Sequence, residues 1–258
     1  MKQRMIIIGG MGPQASLELH RRIIRQALAK GAKAGTDFPH IVHLLLPVPD
    51  FIANESRHSE ALEIVINELK NISTSMDDVI IIACNTAHLL QPDIEQQLSV
   101  RITSMVDAAI DYVSRHHKTI RLLASPTTIR TGLYDKPLKT VGVTVLTPDD
   151  NERQALETII RAVIAGRIVP QSALEKVERI AKFDRVEIDN YVENHLNNPP
   201  ILLGCTELSC AFAKKPNTID PMNILINHLA ARSAIAKPDN KPETTVKSNS
   251  SYQITSSA

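Results

Sequence analysis

Short, almost wholly apolar runs alternate with longer amphipathic segments along nearly the whole chain. The runs Met5–Ile8 and Val79–Ala83 are typical, and glycine, proline or asparagine bounds such runs. A run that is apolar throughout suits a parallel strand buried on both faces, whereas an exposed sheet face would give strict polar–apolar alternation. The pattern therefore predicts an α/β fold in which ligands bind at the carboxyl ends of the strands.

The elements predicted from this pattern share a strand–helix order. The predicted strands are Arg4–Ile8, His40–Leu46, Asp78–Ala83, Arg101–Met105, Ile120–Ala124, Thr144–Thr147 and Ile201–Gly204. The predicted helices are Ala15–Lys30, Ser59–Asn71, Ile94–Leu98, Val106–His116, Thr128–Tyr134, Asn151–Ala165, Gln171–Asn194 and Pro221–Ala236. After residue 236 the chain becomes polar and rich in Ser, Thr, Pro and Lys, so residues 237–258 are predicted to be a disordered tail.

The chain also repeats itself weakly. The strand that ends at Gly9 has a counterpart that ends at Ser125, and the strand before Cys84 has a counterpart before Cys205. The offsets are about 116 and 121 residues. Two similar halves would each present a loop and a cysteine turn to one cleft.

Composition excludes several classes of function. With 258 residues and 43% hydrophobic content the chain can build one large core or two smaller ones. A net charge of +1 and an aromatic content of 3% give neither the basic footprint nor the stacking platforms of a nucleic-acid-binding protein. No apolar run approaches the roughly 20 residues that span a bilayer, and the N-terminus has no signal-peptide pattern. We therefore predict a cytoplasmic protein with no membrane and no nucleic-acid partner.

Two cysteines stand at the ends of apolar strands. Cys84 precedes Asn85 and Thr86, and Cys205 precedes Thr206. Where a strand opens into a helix, backbone N–H groups and the helix dipole favour an anion, so the site is predicted to lower a thiol pKa. Two thiols beside side-chain donors suit removal of a proton from one face of an α-carbon and its return to the other face.

The cysteines and the glycine loop also have purely structural interpretations. A lone cytosolic cysteine is most often a small buried hydrophobe, and Cys210 has only a packing context. Cys205 and Cys210 lack the second pair that a structural zinc site needs, and the glycine loop Gly9–Gly12 lacks the lysine of a phosphate-binding loop. We therefore predict no metal and no nucleotide.

Several motifs carry a family resemblance. The segments IIIGGMGPQAS (6–16), IIIACNTAH (80–88), LLASPTTIRTGLYDKPL (122–138), ILLGCTELS (201–209) and TIDPMNIL (218–225) occur in order and at the expected spacing. They resemble the signatures of the aspartate/glutamate racemase family, over roughly residues 4–236. The resemblance implies two doubly wound parallel-sheet domains related by pseudo-symmetry, with the active site in the cleft between them and no pyridoxal phosphate or other cofactor.

The resemblance also assigns roles and boundaries. Cys84 and Cys205 would be the catalytic acid/base residues, and the substrate would be an amino acid. The residues that would bind the substrate or line the cleft are Met11, Gly12, Asn85, Thr86, Ser125, Thr127 and Thr206. The first domain would comprise residues 1–114 and 216–236, and the second residues 115–215. The family suggests a homodimer.

Two departures from the family pattern concern the substrate. An aspartate racemase would carry Arg after Pro49-Asp50 and Lys before Ala165-Gly166, where this chain has Phe51 and Ile164. Arg and Lys are the natural partners of carboxylates, so these apolar residues in the substrate pocket indicate a broader or less acidic substrate. The alternatives are a maleate-isomerase-like or hydantoin-racemase-like enzyme on the same fold, or a non-catalytic protein that binds a small carboxylate.

Overall fold

The computed structural model describes residues 3–49, 56–167, 169, 172–175, 177, 199–212 and 215–232. The strands are β1 Arg4–Gly9, β2 His40–Leu45, β3 Val79–Ile82, β4 Thr119–Ala124, β5 Thr144–Leu146, β6 Ile201–Gly204 and β7 Thr218–Ile219. The α-helices are α1 Pro13–Ala29, α2 His58–Asn71, α3 Gln91–Leu98, α4 Met105–His116, α5 Pro126–Thr131, α6 Asp135–Thr140, α7 Asp150–Ile164, α8 Thr206–Phe212 and α9 Pro221–Ala231. Short 3-10 helices cover Gly35–Asp37 and Thr86–Leu90. Phe51, most of the predicted helix Gln171–Asn194 and the predicted tail lie outside the described residues.

The strands form two separate parallel sheets, which confirms the predicted fold class. The first sheet has the order β2-β1-β3, and Ile102 extends it by a parallel bridge to Ile80. The second sheet has the order β5-β4-β6-β7. Each half therefore places its second strand and its third strand on either side of its first. This shared order agrees with the weak repeat in the sequence.

The predicted division into domains stays a prediction. β7 pairs with β6 of the second sheet, in the register Leu202 to Ile219. The helix that follows, α9, packs on α4 and α1 of the first half. The last described segment thus has contacts with both halves.

The strands β1, β3 and β6 are buried almost throughout, as the apolar runs predicted, whereas β2 and β5 are partly exposed. Ile7 and Ile81 face a core that α1, α4 and α9 share with one face of the second sheet. Ile6, Ile8, Ile80 and Ile82 face a second core beneath α2 and α3. The far face of the second sheet, with Leu123, Ile201 and Leu203, packs on α7 and α8. Burial of each such side chain contributes about 1.5–3 kcal/mol to the stability of the folded state. Because successive side chains of a strand point to opposite faces, each strand stabilises two different layers.

Two predicted elements are wrong for local reasons. The predicted strand Arg101–Met105 contributes only the bridge at Ile102, because Ser104 caps α4 by accepting a hydrogen bond from the Asp107 N–H at 3.1 Å. The predicted helix Thr128–Tyr134 ends already at Thr131, because Gly132 adopts a left-handed conformation with φ of 72° and ends α5, and the helix α6 that follows from Asp135 was not predicted. Tyr134 consequently lies in the connection between two helices.

Candidate active site

The carboxyl ends of four strands from the two sheets meet at one place. Cys84 follows β3, Cys205 follows β6, the glycine loop follows β1, and Ser125 follows β4. Direct contacts cross between the halves, such as the hydrogen bond between the Thr86 and Ser125 hydroxyls at 3.0 Å. The structure thus brings the strand ends of both sheets to a common site.

The first cysteine turn surrounds the Cys84 thiol with backbone donors. Cys84 is 7% exposed, and the backbone N–H groups of Thr86 and Ala87 favour its thiolate. The His88 ring holds the same turn, because its Nδ1 lies 2.8 Å from the carbonyl oxygen of Cys84. Burial lowers the pKa of His88, so the ring is neutral and Nδ1–H donates this bond.

The second cysteine turn contains a carboxylate. The Cys205 thiol donates to Glu207 Oε2 at 3.0 Å, and the Thr206 hydroxyl donates to the same oxygen at 3.2 Å. Glu207 is 2% exposed, and burial raises the pKa of this carboxyl group. Its other oxygen, Oε1, is buried and has no hydrogen-bond partner among the described residues.

Gly12 lies directly against this carboxylate. A Cβ at position 12 would lie 1.7 Å from Glu207 Oε1, and the φ of Gly12 is 151°. Only glycine can accept both the conformation and the close approach. The glycine loop of the first half therefore makes room for a side chain from the second half.

The thiol pKa values differ from the sequence-based expectation. Burial, with a further contribution from the charge of Glu207, raises the pKa of Cys84 to about 12. The pKa of Cys205 is raised well above its usual value by burial, the Glu207 charge and the hydrogen bond to Glu207. The backbone donors at Cys84 act in the predicted direction, but removal of both thiols from water outweighs them. The prediction of lowered thiol pKa values was therefore wrong.

A cluster of hydroxyl groups joins the two halves beside the cysteines. Thr86 Oγ1 lies 2.8 Å from Thr128 Oγ1 and 3.0 Å from Ser125 Oγ, and the last two lie 3.1 Å apart. Ser125 also caps α5 by accepting from the Thr128 N–H at 3.2 Å. Thr128 was not predicted as a site residue, although three of the four residues in the segment SPTT carry hydroxyl groups.

Asn85 and Tyr134 form a second bridge between the halves. Tyr134 is fully buried, and its hydroxyl donates a short hydrogen bond to the Asn85 carbonyl oxygen Oδ1. Asn85 Nδ2 is buried and lacks a partner within the described ranges. Tyr134 was not predicted as a site residue, although it belongs to one of the family-like motifs and is one of few aromatic residues.

The remaining residues predicted to line the site are Met11, Thr127, Ile164 and Phe51. Met11 is buried in the same apolar cluster as Cys84. The Thr127 side chain is buried and accepts a hydrogen bond from Arg130 at 3.2 Å. Ile164, at the end of α7, packs partly buried against the cluster that contains Cys205. Phe51 lies outside the described residues, so its place in the pocket stays a prediction.

The part of the chain that the structure describes contains no group of three or more His, Cys, Asp and Glu side chains placed to hold a metal ion. None of the described helices has the length and apolar character needed to cross a membrane.

Comparison with known proteins places this geometry in a family. The model of the Asp/Glu/Hydantoin racemase family matches residues 8–229. A relative from Bacillus subtilis, the broad specificity amino-acid racemase RacX, is 28% identical over 158 residues, which cover 61% of this chain and 69% of the relative. An aspartate racemase homologue from Pyrococcus horikoshii has a similar fold, with a TM-score of 0.68 and 24% identity over 91% of this chain and 100% of the other.

Further solved structures share the fold. The aspartate racemase of Picrophilus torridus has a TM-score of 0.66 and 22% identity, with 90% of this chain and 94% of the other covered. A glutamate racemase from Francisella tularensis has a TM-score of 0.59 and 16% identity, with 90% and 81% covered. Because the family model spans most of the chain from the glycine loop to α9, the resemblance predicted from the motifs is confirmed, and the chain belongs to the Asp/Glu/Hydantoin racemase family.

Proposed function

We propose that this racemase interconverts the L- and D-enantiomers of amino acids without a cofactor, using Cys84 and Cys205 as two acid/base groups. One observation carries the proposal: two buried thiols, each following the third strand of its sheet, meet at one site. They are close enough that the charge of Cys84 raises the pKa of Cys205. Membership of the family supports a racemase, and the assignment of the two bases rests on this geometry.

In the proposed reaction one cysteine reacts as the thiolate and the other as the thiol. The thiolate takes the α-proton, and the electron pair of the broken C–H bond is delocalised into the substrate carboxylate. The thiol on the opposite face then gives its proton to the α-carbon, which forms the enantiomer and leaves the second cysteine as thiolate. A proton exchange with solvent restores the starting state, so no oxidant, reductant or metal is consumed.

The raised thiol pKa values fit this scheme if the substrate changes the electrostatics of the site. Burial and the charge of Glu207 disfavour both thiolates. A bound α-ammonium group brings a positive charge, which favours a nearby thiolate and opposes the charge of Glu207. Thiolate formation would then accompany substrate binding.

For the substrate we propose a broad range that includes amino acids with uncharged side chains. Ile164, where an aspartate racemase would carry lysine, is partly buried beside the cluster that contains Cys205. Phe51 stands where arginine would be expected. The Bacillus subtilis relative, named as a broad specificity racemase, supports the same direction.

The experiment is incubation of the purified protein with single enantiomers in deuterated water. Both acidic and neutral amino acids are tested, and chiral chromatography with mass spectrometry reads the products. We expect the opposite enantiomer to form with one deuterium at the α-carbon. Absence of both deuterium uptake and enantiomer formation across the whole set would refute the function. Substituted hydantoins in the same assay, and maleate with product analysis, test the alternative enzymes.

The predicted homodimer and the predicted cytoplasmic location stay predictions. Light scattering coupled to size-exclusion chromatography tests the first. A mass equal to one chain of 28.5 kDa would contradict the dimer.

A further inference from the structure

Tyr134 occupies an unusual position for a polar side chain. It is fully buried and lies after the left-handed turn at Gly132, in the connection between α5 and α6. Its hydroxyl reaches across from the second half of the chain to Asn85, in the turn that carries Cys84. A buried tyrosine generally needs a partner for its hydroxyl group, and here the partner is a candidate substrate-binding residue.

The bond to Tyr134 fixes which way the Asn85 amide faces. A primary amide carries an acceptor oxygen and a donor nitrogen on the same carbon atom, and rotation about the bond to that carbon exchanges their positions. Tyr134 donates to Oδ1, so Nδ2 must point away from the ring. Nδ2 is buried and has no partner in the described part of the chain. A buried donor without a partner is unfavourable, and a bound acceptor would remove that penalty.

The Tyr134 ring also contacts the other cysteine turn. A Cβ at Gly204, the residue before Cys205, would lie 3.3 Å from Tyr134 Cε2. It would lie 3.0 Å from the Ala124 Cβ and 2.7 Å from Leu122 Cδ1, so the ring fills space that a side chain at position 204 would take. Tyr134 thus lies between the turn of Cys84 and the turn of Cys205.

The protonation state of Tyr134 suits a permanent donor. Burial raises its pKa well above the usual value, and the charges of Asp220 and of both cysteines act in the same direction. The phenol therefore keeps its proton when a cysteine becomes a thiolate. Tyr134 takes no proton from the reaction, which separates it from the acid/base pair.

We infer that Tyr134 is a positioning residue that locks the Asn85 amide with its NH₂ group directed at the substrate carboxylate. The inference rests on the proposed racemase function. Tyr134 then affects substrate binding, because an Asn85 amide that lacks the hydrogen bond from Tyr134 can rotate. The rotated amide presents its oxygen, instead of its NH₂ group, to the substrate carboxylate. It also predicts that Tyr134 acts only through Asn85.

The test is a double-mutant cycle with Tyr134→Phe and Asn85→Ala, measured on a substrate that the wild-type protein racemises. If the wild-type protein racemises no amino acid, the proposed function is refuted and this inference with it. The outcomes of the cycle itself bear on Tyr134 alone. We expect Tyr134→Phe to raise KM about tenfold, the effect of losing one well-oriented hydrogen bond to a charged group, with a smaller change in kcat. In the Asn85→Ala background the same substitution should change KM less than twofold. Equal effects in both backgrounds would overturn the inference.

A second variant keeps the inference testable if Tyr134→Phe does not fold. Asn85→Asp retains an acceptor for the Tyr134 hydroxyl but has no NH₂ group. We expect it to keep the melting temperature close to that of the wild type and to raise KM at least tenfold. An unchanged KM would overturn the assignment of the amide. Tyr112→Phe, on the exposed side of α4, is the matched control and should leave both constants unchanged.

Discussion

The two cysteine turns occupy equivalent places in the two sheets but surround their thiols differently. At Cys84 the contacts that favour the thiolate are the backbone N–H groups of Thr86 and Ala87, and a neutral His88 holds the Cys84 carbonyl oxygen. At Cys205 the thiol itself donates to the Glu207 carboxylate. One thiol is therefore set among donors, and the other is bound to an acceptor.

This difference shows that a repeated strand order does not impose repeated chemistry. Strand pairing places both cysteines, because each follows the same position in a parallel sheet. The residues one to four places further along decide how each thiol is held. The Cys205 proton already lies on a hydrogen bond to a carboxylate, whereas the Cys84 proton has no comparable acceptor among the described residues.

The equilibrium constant of a racemisation limits how this asymmetry can be measured. It equals one, so any variant must change kcat/KM equally for both enantiomers. Differences between the turns must therefore be sought in proton exchange, in thiol reactivity or in stability.

Replacement of either cysteine should have the largest effect. We expect Cys84→Ala and Cys205→Ala each to lower racemisation by about 10²–10⁴-fold, the range for loss of a general acid or base. Each variant should still exchange the α-proton of one enantiomer with deuterated water, and the two variants should exchange opposite enantiomers. Nuclear magnetic resonance of the α-proton measures this exchange.

Cys210→Ala is the control for the cysteine variants. Cys210 is exposed and lies on the same helix as Glu207, so it reports any general effect of cysteine replacement. Its activity should equal that of the wild type. Exchange of the same enantiomer by both active-site variants would refute the opposite-face arrangement.

Glu207→Gln should break the asymmetry between the turns. The charge of Glu207 raises the pKa of both thiols, but Cys205 alone also donates a hydrogen bond to it. Loss of the charge should lower both pKa values and accelerate alkylation at a fixed mildly alkaline pH, more for Cys205. We expect alkylation of Cys205 to accelerate about tenfold, because a thiol that donates to an amide oxygen is less stabilised in its protonated form than one that donates to a carboxylate.

Alkylation is measured in proteins that retain a single one of the two buried thiols and carry Cys210→Ala. Thr158→Ala, at an exposed position on α7, serves as the matched polar replacement. Equal acceleration at both thiols would mean that the hydrogen bond to Glu207 adds nothing to the effect of its charge.

His88 should give the smallest effect, on stability. Its pKa is lowered by burial, so between that value and about 6.5, the pKa of an unfolded histidine, the unfolded chain binds more protons than the folded one. The stabilisation by neutral His88 is therefore present above about pH 6.5 and is lost as the pH falls through the folded-state pKa. We expect His88→Gln to lower the free energy of unfolding by about 1 kcal/mol at pH 8.

Urea unfolding at pH 8 and pH 5.5 measures this contribution. The wild-type protein should lose more stability than His88→Gln on going to the lower pH. His116→Gln, at an exposed position, is the control and should follow the wild type. A pH dependence unchanged by His88→Gln would contradict a buried neutral histidine at the first turn.

Much of the fold could be predicted because its determinants are local. The strands β1, β3 and β6 are buried on both faces, so their sequences are almost wholly apolar and easy to recognise. The errors arose where a single residue ended an element, as Ser104 does before α4 and Gly132 does after α5. The helices α6 and α8 were not predicted, because they are only 6 and 7 residues long and show no full helical period of apolar residues.

The candidate site was predicted in part for the same reason. Cys84, Asn85 and Thr86 are adjacent in the chain, so their common turn is visible in the sequence. The partners that reach the turns from the other half, Tyr134 and Thr128, were missed because only folding brings them there.

The sequence by itself determined the alternation of strands and helices, the two cysteine turns and the family, since each depends on residues close together in the chain. The tertiary structure alone decided the ionisation of the thiols. Burial depends on how layers from both halves pack, and Glu207 reaches its place because Gly12, far away in the sequence, leaves room for it. A thiol pKa depends on the water and charge around the sulfur atom, and distant segments supply both.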